Sequence, residues 1–214
     1  MNSVPRVAVR RATPEDARAI AALHVASISE GFLATLGHDF LMRVYRRLSR
    51  SDHGALWVAV TEPNGDAHAD ALASLPRVAG FVALAHDTTR FYRDFLVRDG
   101  VAAFARNLVP LTRAVPRTFE TLRYGLRGTA ELPDAEILAL AVDSACLRRG
   151  VARALLGAAT GHLVTRGIEA ARVVTTVDNI AARAAYTSAG FEPHSRTEVH
   201  RGVEQDVLVW RDRS

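Results

Sequence analysis

The stretch from Glu136 to Phe191, EILALAVDSACLRRGVARALLGAATGHLVTRGIEAARVVTTVDNIAARAAYTSAGF, decides how the rest of this chain is read. Its first apolar run, Ile137 to Val142, lies between Pro133 and Asp143 and is too short for a helix, so it reads as a buried strand. The segment Leu147-Arg148-Arg149-Gly150-Val151-Ala152 opens directly into an amphipathic helix with Leu155, Leu156, Ala159 and Leu163 on one face. Gly167, behind Arg166, stands where a helix-ending residue takes a left-handed backbone. A second strand, Arg172 to Thr176, and a second helix, Asn179 to Ala189 closed by Gly190, complete a unit of strand, turn, helix, strand, helix.

The turn carries the chemistry. Small residues at Gly150 and Ala152 leave backbone N–H groups uncovered at a helix N-terminus, where unpaired amides and the helix dipole favour an anion. Arg148, Arg149 and Arg153 surround that point with guanidinium groups suited to phosphate oxygens. A pyrophosphate fits there; a plain tight turn flanked by solvated arginines is the competing reading. Neither G-x-x-x-x-G-K-[ST] nor G-x-G-x-x-G occurs, which argues against a nucleoside triphosphatase and a dinucleotide oxidoreductase.

Taken in order, EILALAVD, RRGVARALL and VDNIAARAAYTSAGF resemble the core of the GCN5-related N-acetyltransferase (GNAT) superfamily. Its signature is [QR]-x-x-G-x-[GA] after a strand, then N-x-x-A-x-x-x-Y-x-x-x-G-F. One position departs: Leu147 stands where glutamine or arginine is usual. The resemblance implies an α/β fold with a mixed, mostly antiparallel sheet of about seven strands and helices on both faces, beyond the bare class that composition gives. It also implies acetyl-CoA as donor substrate and direct acetyl transfer to a primary amine. The CoA would be held by Leu140, Ala141 and Val142 of the strand and by the main chain of Leu147, Arg148, Arg149, Gly150, Val151, Ala152 and Arg153. Asn179 and Ala182 would face the pantetheine arm, with an N-cap as the alternative role of Asn179. The N–H of Leu140 would meet the oxyanion. Tyr186, two helical turns after Asn179, would protonate the leaving thiolate, unless it is simply a core aromatic. Glu136 sits where the histone-acetylating branch carries its general base, with a strand-end surface glutamate as the competing reading; His24, His162 and His194 are further base candidates.

At 214 residues and 49% hydrophobic content the chain suits one α/β domain, 1–214, with an enlarged helical segment at about 91–127. All 27 basic residues counted as Lys+Arg are arginine, which excludes a lysine base or Schiff base. The formal charge of +4 suits an anionic ligand and also permits nucleic acid; spread along the chain instead of forming a tail, it does not choose between them. No apolar signal region opens the sequence and no run approaches 18 apolar residues, so the expectation is a soluble, cytoplasmic protein with no membrane partner, monomeric or a homodimer. Cys146 is the single cysteine, without a nearby histidine to mark it as a nucleophile.

Outside the central unit, Val7 to Arg11 reads as an edge strand, and Thr13-Pro14-Glu15-Asp16 as the start of a helix bearing Ala17, Ile20, Ala21, His24 and Ile28. Phe32, Leu33, Leu36, Phe40, Leu41 and Tyr45 read as a second helix, whose Phe32, Leu33 and Tyr45 either line the acceptor pocket or belong to the core. Leu56 to Thr61 and Val78 to Ala85 form a hairpin around Pro63-Asn64-Gly65-Asp66, and Glu192 to Arg211 forms two strands turning at His200-Arg201-Gly202. Between them, Arg106, Arg113, Arg117, Arg123 and Arg127 make a basic helical face, either solvated or lining an anionic acceptor's site. Three functions fit these features: an N-acetyltransferase acting on a small-molecule amine or a protein N-terminus, a CoA-binding sensor or scaffold without catalysis, and an RNA-associated acetyltransferase acting on charged tRNA.

Overall fold

The computed structural model describes residues 7–28, 37–62, 77–95, 132–199 and 203–213. In chain order the described elements are β1 (Val7–Arg11), a 3-10 turn (Pro14–Asp16), α1 (Ala17–Ser27), α2 (His38–Leu48), β2 (Gly54–Thr61), β3 (Val78–Ala85) and α3 (Thr88–Phe95). They continue with β4 (Ala135–Val142), a second 3-10 turn (Ser144–Cys146), α4 (Val151–Thr165), β5 (Ala170–Thr176), α5 (Ile180–Ser188), β6 (Glu192–Val199) and β7 (Val203–Arg211). The strands form one seven-stranded sheet in the order β1-β2-β3-β4-β5-β7-β6. Every neighbouring pair is antiparallel except β4 and β5.

Helices cover both faces, as the patterning demands. On one face Leu155, Leu156, Ala159 and Leu163 of α4 and Tyr186 of α5 pack on Trp57, Val82, Ile137, Val173 and Leu208. On the other, Ile20 of α1, Leu41, Tyr45 and Leu48 of α2 and Phe91 of α3 cover Val58, Phe81, Ala139 and Ala141. Each fully buried leucine or phenylalanine of this kind contributes about 1.5–3 kcal/mol by leaving water.

The central strand starts at Ala135, two residues before its apolar run, because Ala135 and Glu136 open the ladder with β5. A 3-10 turn precedes α1, fastened by the Asp16 carboxylate, which accepts from the Thr13 N–H at 2.7 Å and from Arg10 at 2.7 Å. The hairpin strands, buried along most of their length, pair as expected, and so do the two alternating C-terminal strands. Phe32, Leu33 and Leu36, the turn at 63–66, the arginines from Arg106 to Arg127 and the turn at 200–202 lie outside the described residues.

Candidate active site

β4 and β5 pair over Ala135↔Ala171, Glu136↔Arg172 and Ile137↔Val173. There the ladder ends, although β4 runs on to Val142 and β5 to Thr176, so the strands part into a V. At the point of parting β4 carries a β-bulge: Leu84 faces Ile137 while Ala83 faces Ala139, which leaves Leu138 as the extra residue. The bulge turns the side chains over. Before it, Ala135 and Ile137 point to the α4–α5 face; after it, Ala139 and Ala141 point to the α1–α2 face, and Leu140 and Val142 pack on the α4–α5 cluster. Leu140, Ala141 and Val142 thus form one arm of the cleft, with a backbone edge no longer claimed by β5.

At the mouth of that arm the chain makes the phosphate-sized turn. Asp143 caps the 3-10 turn by accepting from the Ala145 N–H at 2.8 Å. Arg148 and Gly150 then both take positive φ, 58° and 76°, two left-handed residues within three positions that curl successive amides towards one side. The first helical bond of α4 is Ala154 N–H to the Gly150 carbonyl at 2.9 Å, so the N–H groups of Val151, Ala152 and Arg153 are the helix's unclaimed donors. Arg148, Arg149 and Arg153 are exposed around them, and among the described residues none forms a salt bridge. A Cβ built on Gly150 meets nothing within 4 Å, so the space over the turn is open to a ligand. Leu147 is 53% exposed, an apolar side chain beside that space where a longer polar one would be expected. Cys146, by contrast, is buried in the apolar cluster.

The close seating of this turn depends on Gly80 of β3, a residue that no sequence motif singles out. A Cβ there would lie 3.0 Å from the Ala141 carbonyl oxygen, 3.1 Å from Leu155 Cδ1 and 3.2 Å from Val151 Cγ1. Glycine lets the first turn of α4 settle onto the strand beside β4.

α5 packs on α4 and supplies the other residues. Asn179 is its N-cap: Oδ1 accepts from the Ala182 N–H at 3.1 Å, which leaves the carboxamide NH₂ to donate elsewhere. Tyr186 is 5% exposed with its ring against Phe191, centroids 5.7 Å apart. Burial pushes its phenol above the ordinary tyrosine range, so it keeps its proton at neutral pH.

Glu136 does not stand alone. It lies at the closed end of the V, where Arg172 of β5 donates to Oε2 through Nε at 2.9 Å and Nη2 at 2.8 Å, while Nη1 reaches the Pro133 carbonyl at 3.0 Å. Arg172 was not foreseen, because its partner is 36 residues away and parallel register cannot be read from the sequence. On the α1–α2 face His24 is 1% exposed, its Nδ1 2.5 Å from the Tyr45 hydroxyl and its ring stacked on Phe81. Among the described residues its Nε2 has no partner, and burial lowers its pKa to about 4. His162 lies at the far end of α4 beside His86, away from the phosphate turn, and His194 is on β6.

The sequence profile of the Acetyltransferase (GNAT) family matches residues 75–191, more than half of the chain. The chain therefore belongs to the GNAT family of acetyltransferases. Among curated protein sequences nothing matches. Solved structures share the fold: Arabidopsis thaliana NAA60 in complex with acetyl-CoA superposes with a TM-score of 0.61 at 15% identity, over 96% of this chain and 98% of that one. The ribosomal-protein-S18-alanine N-acetyltransferase from Escherichia coli gives 0.57 at 13% identity, over 96% and 94%. An N-acetyltransferase from Staphylococcus aureus Mu50 gives 0.59 at 15% identity, over 96% and 98%.

Proposed function

We propose that this protein transfers the acetyl group of acetyl-CoA directly to a primary amine. The observation that carries the reading is the V between β4 and β5, with a bulge at its apex and an arginine-ringed, donor-rich turn at its mouth. An extended molecule with a pyrophosphate at one end and a thioester at the other matches that cleft, and crystallised NAA60 contains acetyl-CoA. In this reading the main chain of Leu147 to Arg153 holds the pyrophosphate, and Leu140 to Val142 with Asn179 and Ala182 line the arm. The Leu140 N–H meets the carbonyl oxygen as the amine nitrogen adds to the thioester carbon. When the carbon–sulfur bond breaks, the electron pair leaves on sulfur and Tyr186 gives it a proton. Glu136, anchored through Oε2 by Arg172, takes the amine proton at Oε1.

The test is release of CoA thiol over a panel of small-molecule amines and peptides with free N-termini. Turnover with at least one amine is expected. CoA binding without any turnover would favour a sensor or scaffold instead. Glu136→Gln should lower kcat about 10²-fold or more, since a carboxamide cannot take the amine proton; wild-type kcat in that variant excludes Glu136.

A further inference from the structure

Asp206 of β7 is 7% exposed, and its two oxygens are claimed by different arginines: Oδ2 by Arg183 Nε at 3.0 Å and Oδ1 by Arg196 Nε at 3.0 Å. Arg183 belongs to α5 and Arg196 to β6, so one carboxylate ties the helix to β7 and to the edge strand beside it. Arg183 does more than pair. Its Nη1 reaches back to the Val177 carbonyl at 3.3 Å, inside the turn that leads into α5. That turn is also held by Val177 N–H to the Glu204 carbonyl at 3.2 Å and by Asn179 N–H to the Thr176 carbonyl at 3.1 Å. Asn179 follows immediately as the helix cap.

We propose that Asp206, acting through Arg183, is a positioning residue for the cofactor side of the cleft. The chain Asp206–Arg183–Val177 fixes where Asn179 stands relative to β4, and because Tyr186 is on the same helix it fixes the phenol too. The two arginines differ in what they would carry away. Arg196 is more exposed and has a second partner in Glu204 at 3.4 Å, so losing Asp206 frees it into water. Arg183, 37% exposed, is also bound to the turn through the Val177 carbonyl, so without the carboxylate the side chain is free to turn into solvent and the turn loses that brace. This inference rests on the acetyl-CoA reading above, but not on which amine is acetylated.

Isothermal titration of the 214-residue chain with CoA tests it, alongside thermal unfolding without ligand. Asp206→Asn and Arg183→Gln should each raise the Kd for CoA about tenfold, the scale of one lost hydrogen bond to the ligand. Arg196→Gln should lower Tm to a similar extent as Arg183→Gln and leave the Kd within about twofold of wild type. Arg183→Gln binding CoA as wild type does, with only its Tm reduced, would show the strut to be structural and overturn the proposal. An equal loss of affinity in Arg196→Gln would overturn it as well. Should Asp206→Asn not fold, Arg183→Gln decides alone, because Asp206 then keeps Arg196. A wild-type chain that binds no CoA would remove the proposed function, and this inference with it.

Discussion

In the proposed function Arg148 would serve the site at a cost to the fold. A non-glycine residue at φ 58° is strained by about 1–2 kcal/mol in the left-handed region, and the strain buys a turn whose amides converge. Arg148→Gly should therefore raise stability by about 1 kcal/mol, seen as a higher Tm, while weakening CoA binding through loss of the guanidinium. Equal or lower stability would mean that the backbone is not strained. Tyr186 poses the opposite case. Tyr186→Phe keeps the packing against Phe191 and deletes only the hydroxyl, so CoA affinity should hold while kcat falls about 10²- to 10⁴-fold if the phenol is the acid. Wild-type kcat in that variant would mean that solvent protonates the thiolate. At this scale the helix that carries Asn179 at its cap and Tyr186 two turns on was legible in the sequence, while the roles proposed for them come from the family resemblance. Arg172 and Asp206 were not legible, since their partners are fixed by strand register and helix docking.

Among the elements, α4 is the one whose placement matters most. Its C-terminal end is closed by backbone bonds from Gly167 N–H to the Val164 carbonyl and from Ile168 N–H to the Leu163 carbonyl, both 2.9 Å, which bears out the glycine stop seen in the sequence. Its N-terminal end is set by something the sequence conceals, the bare surface of Gly80 under Val151 and Leu155. Periodicity marks a helix's buried face but is silent on how closely that face approaches a strand. Gly80→Ala forces contacts of 3.0–3.2 Å to a backbone oxygen and two methyl groups, and the backbone oxygen cannot step aside cheaply. Overpacking of this kind costs about 1–3 kcal/mol. The variant should show a lowered Tm and, because the phosphate turn moves with α4, a weakened affinity for CoA. A Gly80→Ala protein with wild-type Tm and CoA affinity would mean that the helix has room to spare.

For the whole molecule, buried histidines set how stability responds to acid. His24 pins α1 to α2 through Tyr45, and burial lowers its pKa from 6.5 to about 4. At the far end of α4, His86 Nδ1 donates to the Asp52 carbonyl at 3.0 Å, so neutral His86 has a lone pair on Nε2 to accept from His162 Nε2–H at 2.9 Å. A further proton on His86 would set one N–H against another. His162 too is lowered to about 4, first by burial, then by the charges of His86, Arg11 and Arg166. Both groups are neutral in the folded chain and take up protons at ordinary histidine values once unfolded. Between pH 6.5 and about 4 the unfolded state therefore binds more protons, and stability falls as pH falls. Above pH 6.5 their contribution is complete; below about 4 it is spent. For His24, almost fully buried, the slope in that window approaches about 1.4 kcal/mol per pH unit, while His162, partly open to solvent, adds less in the same direction. Urea unfolding at pH 7.5 and pH 5 should show this loss in wild type and a shallower one in His24→Leu. The same slope in both proteins would mean that His24 is already protonated in the fold, or that its site opens to water before the molecule unfolds.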